Sequence, residues 1–565
     1  LKGSLTEIDE SIFDGNTGIT HLRVPDNCAG FKVSLLDKFQ NLEEFEIVVS
    51  GNTPVVSGQN GQKGIVYNGD KTELLYVSAS AFDEEHGSLV LPASLKKIDD
   101  RVFYNNTYLT SISFANITGD LEIGAYAFYG CTGLTGLSLP AGLTKLGEFA
   151  FAGCSNLVTL TFADGCNLSA LPSGVFNNCS SLTAIRIPAN VTEMPGYTAT
   201  YTNGGEIYSL FGIFHGCSSL GAVTFETGSK CTKFGDYAFE TNAGSVWTGT
   251  IQPSGKVSLN VLTTIEIPSS VTSIGAYAFI GAKISSITLP SSLTEIPEGL
   301  FYGCAELLSD GLTNKMTTIG DYAYYGCAGI GDEVIIPSSV TAIGKNAFEG
   351  CSSIEKLTVP NSVLEFGDST FKDCSGLSEL NFETLLLSLP DYMFRGCSSL
   401  GSFPLPASVR TFGYGFLQEC GNLGSLTIDV SKMAEIPSYF VKDCESLSTL
   451  TFDNFESSVL STIGKEAFYN TGLVSVELPD SVSTIGAYAF YGCSELTTLS
   501  GLDNVTTLEA ISNNGGLVSY AFAYTKLSSI TLSTELTALP AYLFYGSSQL
   551  SSISGIENVT SFGAY

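Results

Sequence analysis

Histidine is almost missing from this chain of 565 residues, which has three, and it carries one tryptophan and four methionines. Histidine is the usual base and the commonest metal ligand near neutral pH, so its scarcity removes most hydrolytic and zinc chemistry. No Cys-x-x-Cys pair stands in for it. Basic residues number 25 against 56 acidic ones, a formal charge of −31. Such a surface repels a nucleic-acid backbone and an anionic membrane. Hydrophobic residues make up 44% of the chain, yet no apolar run is long enough to span a bilayer, and no charged-then-apolar leader opens the sequence. The residues present call for no cofactor and no metal.

What the chain has in abundance is a unit of about 23 residues that returns from end to end. It is plainest in Ile274-Gly-Ala-Tyr-Ala-Phe279, Ile319-Gly-Asp-Tyr-Ala-Tyr324, Ile343-Gly-Lys-Asn-Ala-Phe348 and Ile485-Gly-Ala-Tyr-Ala-Phe490. Aligning on the last aromatic gives roughly 21 units, from Phe13 to Phe544, with Leu417 and Val441 standing in for the ring. A fixed period of this length means a solenoid, in which each unit is stable only against its neighbours.

Six residues after the aromatic comes a strand signature, as in Leu157-Val-Thr-Leu-Thr-Phe162 and Leu447-Ser-Thr-Leu-Thr-Phe452. Its last two apolar residues are two apart, the period of a strand with one buried face, so stacking the units builds a parallel sheet. Proline then stops the strand, as in Ile336-Pro337 and Leu478-Pro479, because it has no amide hydrogen for the ladder. A second short extended piece follows and ends at Gly or Pro. Ala-Phe beyond it suits a helical or 3₁₀ turn that drops the ring into the core. The expected fold is a solenoid with a parallel β-sheet on one face and short extended or 3₁₀/helical turns on the other. At ~4.8 Å per strand it would run on the order of 100 Å.

The period crosses every place where a boundary could be drawn, so residues 1–565 read as a single solenoid. Leu5-Thr-Glu-Ile8 starts partway through a unit and Phe562-Gly-Ala-Tyr565 stops short of one, so both ends read as cuts within a repeat. Four segments break the period: 48–80, 196–210, 240–258 and 507–519. Insertions in a solenoid fall in loops and commonly carry recognition.

These blocks resemble the BspA-like, or Treponema pallidum type, leucine-rich repeats. The likeness covers the whole unit, as in Cys351-Ser-Ser-Ile-Glu-Lys-Leu-Thr-Val-Pro-Asn-Ser-Val363 through Phe371. Gly64-Ile-Val-Tyr-Asn-Gly-Asp-Lys-Thr-Glu-Leu-Leu-Tyr-Val77 is similar to a variant unit that interrupts arrays of this family. The resemblance implies a leucine-rich-repeat solenoid at the cell surface or secreted, with adhesion to host matrix proteins or other cells as its role. No binding residue carries over, because the family motif marks core positions.

The repeat also accounts for most of the tempting chemistry. Twelve of the 15 cysteines share one slot, three residues after the aromatic. One thiol per turn in a long chain reads as a column of small buried residues rather than a disulfide framework. His215, between Phe214 and Cys217, occupies a slot held elsewhere by Tyr129, Ala152, Glu349 and Arg395, and so reads as a variable surface position. Acid pairs such as Glu84-Glu85 and Asp332-Glu333 have no distinguishing context. The string Asp14-Gly-Asn-Thr-Gly18 lacks the later glutamate of a calcium loop.

Three places remain for recognition. An outward strand position reads Ser or Thr in most units, including Thr161, Thr224 and Thr288, with Arg186 and Glu266 interspersed. Tyrosines form columns around the aromatic slot, expected to pack before they bind. Tyr197, Tyr201 and Tyr208 in one insertion and Trp247 in its neighbour serve no repeat, and they form a candidate contact patch for a protein or sugar. The reading is a non-catalytic binding protein, an adhesin contacting protein or glycan ligands, with no direct membrane insertion. The alternatives are a stalk or lattice element that self-associates through solenoid ends or edges, and a substrate platform for a catalytic domain outside this sequence.

Overall fold

The computed structural model describes residues 10–15, 18–25, 44–48, 55–56, 65–68, 70–77, 81–196, 199–201, 207–210, 212–241, 260–513 and 516–563. They fall in two compact units, Leu1–Leu293 and Thr294–Tyr565. Both are built of the predicted turn, with two short strands in most turns.

In the first unit the longer strands form a five-stranded parallel sheet in the order Gly136–Leu139, Thr159–Phe162, Ala184–Ile187, Ala222–Phe225 and Thr264–Ile265. Register follows the repeat, with Ser138 opposite Thr161 and Arg186 opposite Thr224. The shorter strands make a second wall, in which Glu193–Met194, Lys233–Phe234 and Ser273–Ile274 pair in parallel. The second unit repeats the plan. Glu333–Ile335, Lys356–Val359 and Glu379–Phe382 form one parallel sheet, and four two-residue strands from Glu295–Ile296 to Glu365–Phe366 form another.

Between the walls runs a column of rings. In the first unit Phe103, Phe128, Phe151, Phe176, Phe214, Phe239 and Phe279 stack face to face at 4.8 to 6.3 Å. In the second, Tyr324 stacks between Phe301 and Phe348 at 5.4 and 4.9 Å. Where Leu417 and Val441 fill the slot, the rings of Phe416 and Phe440, one residue earlier, pack 6.3 Å apart instead. Burial of this column and of the leucines around it is the main force holding successive turns together.

The corner that carries the ring is a hydrogen-bonded turn rather than a continuous helix, and the cause is in its dihedrals. The residue two before the aromatic is left-handed in nearly every described unit, with φ of 56° at Tyr126, 57° at Tyr322, 57° at Ser369 and 59° at Tyr488. The residue two after it is left-handed as well, commonly glycine, as at Gly130 and Gly350. Two left-handed residues bracket each ring, so a helix cannot propagate through it.

Three of the interruptions contain antiparallel pieces set into the parallel array. Ile65–Tyr67 pairs antiparallel with Val55–Val56 on one side and Glu73–Val77 on the other, within the unit read as a variant repeat. Ala199–Tyr201 pairs with Ile207–Leu210, and Ile511–Asn513 with Gly516–Val518. Residues 242–258 of the fourth lie outside the described residues.

Candidate functional site

The thiol column is tied to the backbone, not merely packed. Every described cysteine is buried and unbridged. In the repeat slot the thiol donates to the carbonyl of the aromatic-slot residue one turn earlier. Cys131 reaches Phe103 at 3.0 Å, Cys154 reaches Phe128 at 3.1 Å, Cys351 reaches Tyr324 at 3.1 Å and Cys493 reaches Phe468 at 3.1 Å. Ser547 makes the same bond to Phe522 at 2.8 Å, and Thr471 and Thr525 occupy the slot in other turns. Burial pushes the Cys493 thiol up to about 11 and the Cys154 thiol up to about 12. The neutral thiol is therefore the resident form, and these groups are poor nucleophiles.

The outward row in the first unit is regular from Ser138 to Thr224. Thr161 and Arg186 are exposed, and Ser138 Oγ lies 3.0 Å from Thr161 Oγ1. Arg186 Nη1 donates to Asp164 at 2.7 Å. Thr224, beside Arg186, is half-buried, and Glu266 is exposed just past the end of its strand. Thr288 is exposed but belongs to no strand, which corrects its reading as a strand residue. Its turn runs Ile287-Thr-Leu-Pro290 without joining a ladder, so the row loses its regular backing there.

Tyr197 and Trp247 are outside the described residues. Tyr201 and Tyr208 lie on the paired strands Ala199–Tyr201 and Ile207–Leu210.

His215 requires a correction. Its side chain is only 15% exposed, and Nδ1 lies 3.0 Å from Oε2 of Glu240, itself 7% exposed. The position is an interior pairing slot between consecutive turns. Lys372 with Glu349 at 2.5 Å pairs that same position, while Lys442 with Glu466 at 2.7 Å and Arg395 with Glu419 at 2.8 Å reach from it to a neighbouring one. The varied identities at this slot looked like surface variety, but His215, Glu349, Lys372, Arg395 and Lys442 each find a polar partner one turn away.

The tyrosine columns stack, as expected. Tyr302 and Tyr325 lie 4.6 Å apart, Tyr469 and Tyr491 4.7 Å, and Tyr520 and Tyr542 4.6 Å. Lys442 sits 4.6 Å from the centre of the Tyr469 ring, a cation–π contact that adds to the Glu466 pair.

One feature of the sheet face was missed in the sequence. In the second unit a cleft of about 710 Å³ opens between Glu379–Phe382 and Ser425–Asp429. Among its lining residues is Pro404, which stands in the outward slot that holds Asn381 one turn before and Thr427 one turn after. On its wall, Lys432 Nζ at 2.7 Å, Ser431 Oγ at 2.6 Å and Asn454 Nδ2 at 2.8 Å hold Asp429 and keep its carboxyl well below the usual range. The signal was present in Ser402-Phe403-Pro404-Leu405-Pro406, where proline falls inside the strand instead of after it.

Among the described residues no group of three or more acidic, histidine or cysteine side chains could hold a metal ion. No helix there is long and apolar enough to cross a membrane.

Among solved structures the chain is similar to a leucine-rich repeat protein from Bacteroides ovatus, at 20% identity over 90% of this chain and 99% of that one, with a TM-score of 0.47. A leucine-rich cell surface protein from Faecalibacterium prausnitzii is 19% identical over 90% and 94%, with a TM-score of 0.31. The pneumococcal vaccine antigen PcpA is 18% identical over 79% and 94%, with a TM-score of 0.36. No curated protein matches the chain. The BspA type leucine-rich repeat region matches in six copies, over residues 75–204, 258–335, 317–448, 418–514 and 461–565. With repeat, fold and core column agreeing over well more than half its length, the chain belongs to the BspA-type leucine-rich repeat family.

Proposed function

We propose that the chain is a non-catalytic binding protein of the cell surface or the extracellular space, an adhesin that contacts host matrix proteins, other cells or glycans along its repeat surface. One observation carries this reading: thiols, rings and most charged pairs are used up between turns, whereas the outward row is exposed at Thr161, Arg186 and Glu266 and is backed by a regular sheet from Gly136 to Ile265. A wide, shallow surface of this kind binds through many modest contacts rather than one deep pocket. Family membership supports the same reading. We place the contacts at Thr161, Arg186, Thr224, Glu266 and Thr288 and at the insertion aromatics Tyr197, Tyr201, Tyr208 and Trp247.

The test is retention of the purified chain on arrays of matrix proteins and glycans, followed by two variants. Arg186→Glu reverses the charge in the row, and a double deletion shortens segments 196–210 and 240–258. Specific retention that falls about tenfold in either variant supports the reading. Retention unchanged in both removes these residues from the contact, and absence of retention on any surface defeats the binding function.

A further inference from the structure

The cleft at Pro404 is a defect in an otherwise repeating face, and its chemistry differs from that of the row. Among the described residues Glu379–Phe382 has a ladder partner only in Lys356–Val359, and Ser425–Asp429 only in Thr449–Asp453. Residues 402–405, which should fill the place between them, contribute a single bridge, Ser402 to Ser425. Proline has no N–H for the ladder and restricts the residue before it, so the strand cannot form and the surface recedes. The volume opened is within the range of sites that enclose a small ligand or a bound side chain.

Three carboxylates line it, Glu379, Asp429 and Asp453, against one lysine, Lys432. Lys432 is committed to Asp429 at 2.7 Å, and Glu379 is met from outside the cleft by Lys356 at 3.0 Å. Asp453 is exposed, and among the described residues no cation of the chain pairs with it. Ser402, Ser425 and Thr427 supply hydroxyls that can both donate to and accept from a peptide backbone.

We propose that this cleft binds an extended segment of a partner protein that presents lysines or arginines, one cation meeting Asp453 and another reaching Glu379 three turns away, with its backbone meeting the hydroxyls. The inference rests on the binding function proposed above and gives it a second, chemically defined site. The complementary charge sets which partner is accepted, and the repulsion of acidic segments is part of that selection.

The test is calorimetric titration of the whole chain with hexalysine and with hexaglutamate at physiological salt. Three variants accompany it: Glu379→Gln with Asp453→Asn, the charge-matched pair Glu477→Gln with Asp480→Asn elsewhere in the same unit, and Pro404→Thr. Hexalysine is expected to bind and hexaglutamate not. The cleft pair should weaken binding about tenfold and the matched pair less than about twofold. Pro404→Thr, which restores the strand residue, should weaken it too without lowering the melting temperature. Equal losses from the two charge pairs would reduce the effect to diffuse attraction and overturn the proposal, as would no binding of hexalysine or a neutral glycan held in the cleft instead. If array ligands bind as well to the cleft pair as to the parent chain, this inference falls while the adhesive function stands.

Discussion

The Cys351 thiol donates to the carbonyl of Tyr324, 3.1 Å away, and that carbonyl already accepts the amide of Cys327 at 3.0 Å. Each such oxygen serves its own turn and the next one. Cys351→Ala removes the second donor and leaves a small void, so it should lower stability by about 1 kcal/mol. Cys351→Ser should cost less, because a hydroxyl makes the same bond at Ser547. Denaturant midpoints of the two variants check the order, and an alanine variant as stable as the serine one would remove the hydrogen bond from the account.

Stability should fall at alkaline pH, and the sign follows from the thiols. Burial raises Cys493 to about 11 and Cys154 to about 12 from 9.0, with Cys131, Cys351 and Cys397 well above it. Above pH 9 the unfolded chain loses these protons while the folded chain keeps them, so stability present below pH 9 is lost as pH rises toward 11 and 12. Melting temperatures between pH 7 and 10.5 should be level at first and then drop. A flat profile to pH 10.5 would contradict the buried neutral column.

Ser369 holds φ at 57° in the position two before Phe371. Ser369→Gly should gain roughly 0.5 kcal/mol, the relief of left-handed strain less the added freedom of the unfolded chain. Ser369→Val should lose roughly 1 kcal/mol or more, since a β-branched residue fits that region worst. Equal stability of the two variants would show that this corner relaxes.

Gly344→Ala tests how closely the turns approach. A Cβ there would overlap the backbone nitrogen and Cα of Asp321 in the preceding turn, although no left-handed φ is involved. We expect a loss of roughly 2 kcal/mol or more. Gly424→Ala, where a Cβ would meet nothing, should be neutral or slightly stabilising. Thermal melts of both separate the close approach from a general glycine effect.

The period, the two strands of each turn and the ring column were legible in the sequence because burial repeats with the backbone. Cys154 and Phe151 recur at fixed spacing since their neighbours in the next turn are copies of themselves. The left-handed corner was harder to see, because tyrosine at Tyr126 and Tyr488 hides it. Its trace lay in Gly174, Gly299, Gly415 and Asn346, which occupy the same place. The pairing of His215 with Glu240 was invisible to a reading along one turn, since it exists only between turns. The cleft at Pro404 was overlooked because proline was read everywhere as the strand's end.

Ties such as Thr110 to Gly87, Thr341 to Thr317 and Ser551 to Ser528 join a hydroxyl to a carbonyl 23 or 24 residues earlier. The array absorbs a change of a residue or two per turn, since like ties span 21 residues from Ser292 to Val271 and 25 from Ser180 to Ser155, but a larger part-turn change would break the ties across the new junction at once. Extra residues that do not complete a turn have to leave the array and close on themselves. The antiparallel pairs at 199–210 and 511–518 do so. Duplication of a complete unit, by contrast, arrives with its own donors and acceptors already matched, and growth of such an array needs no compensating change elsewhere.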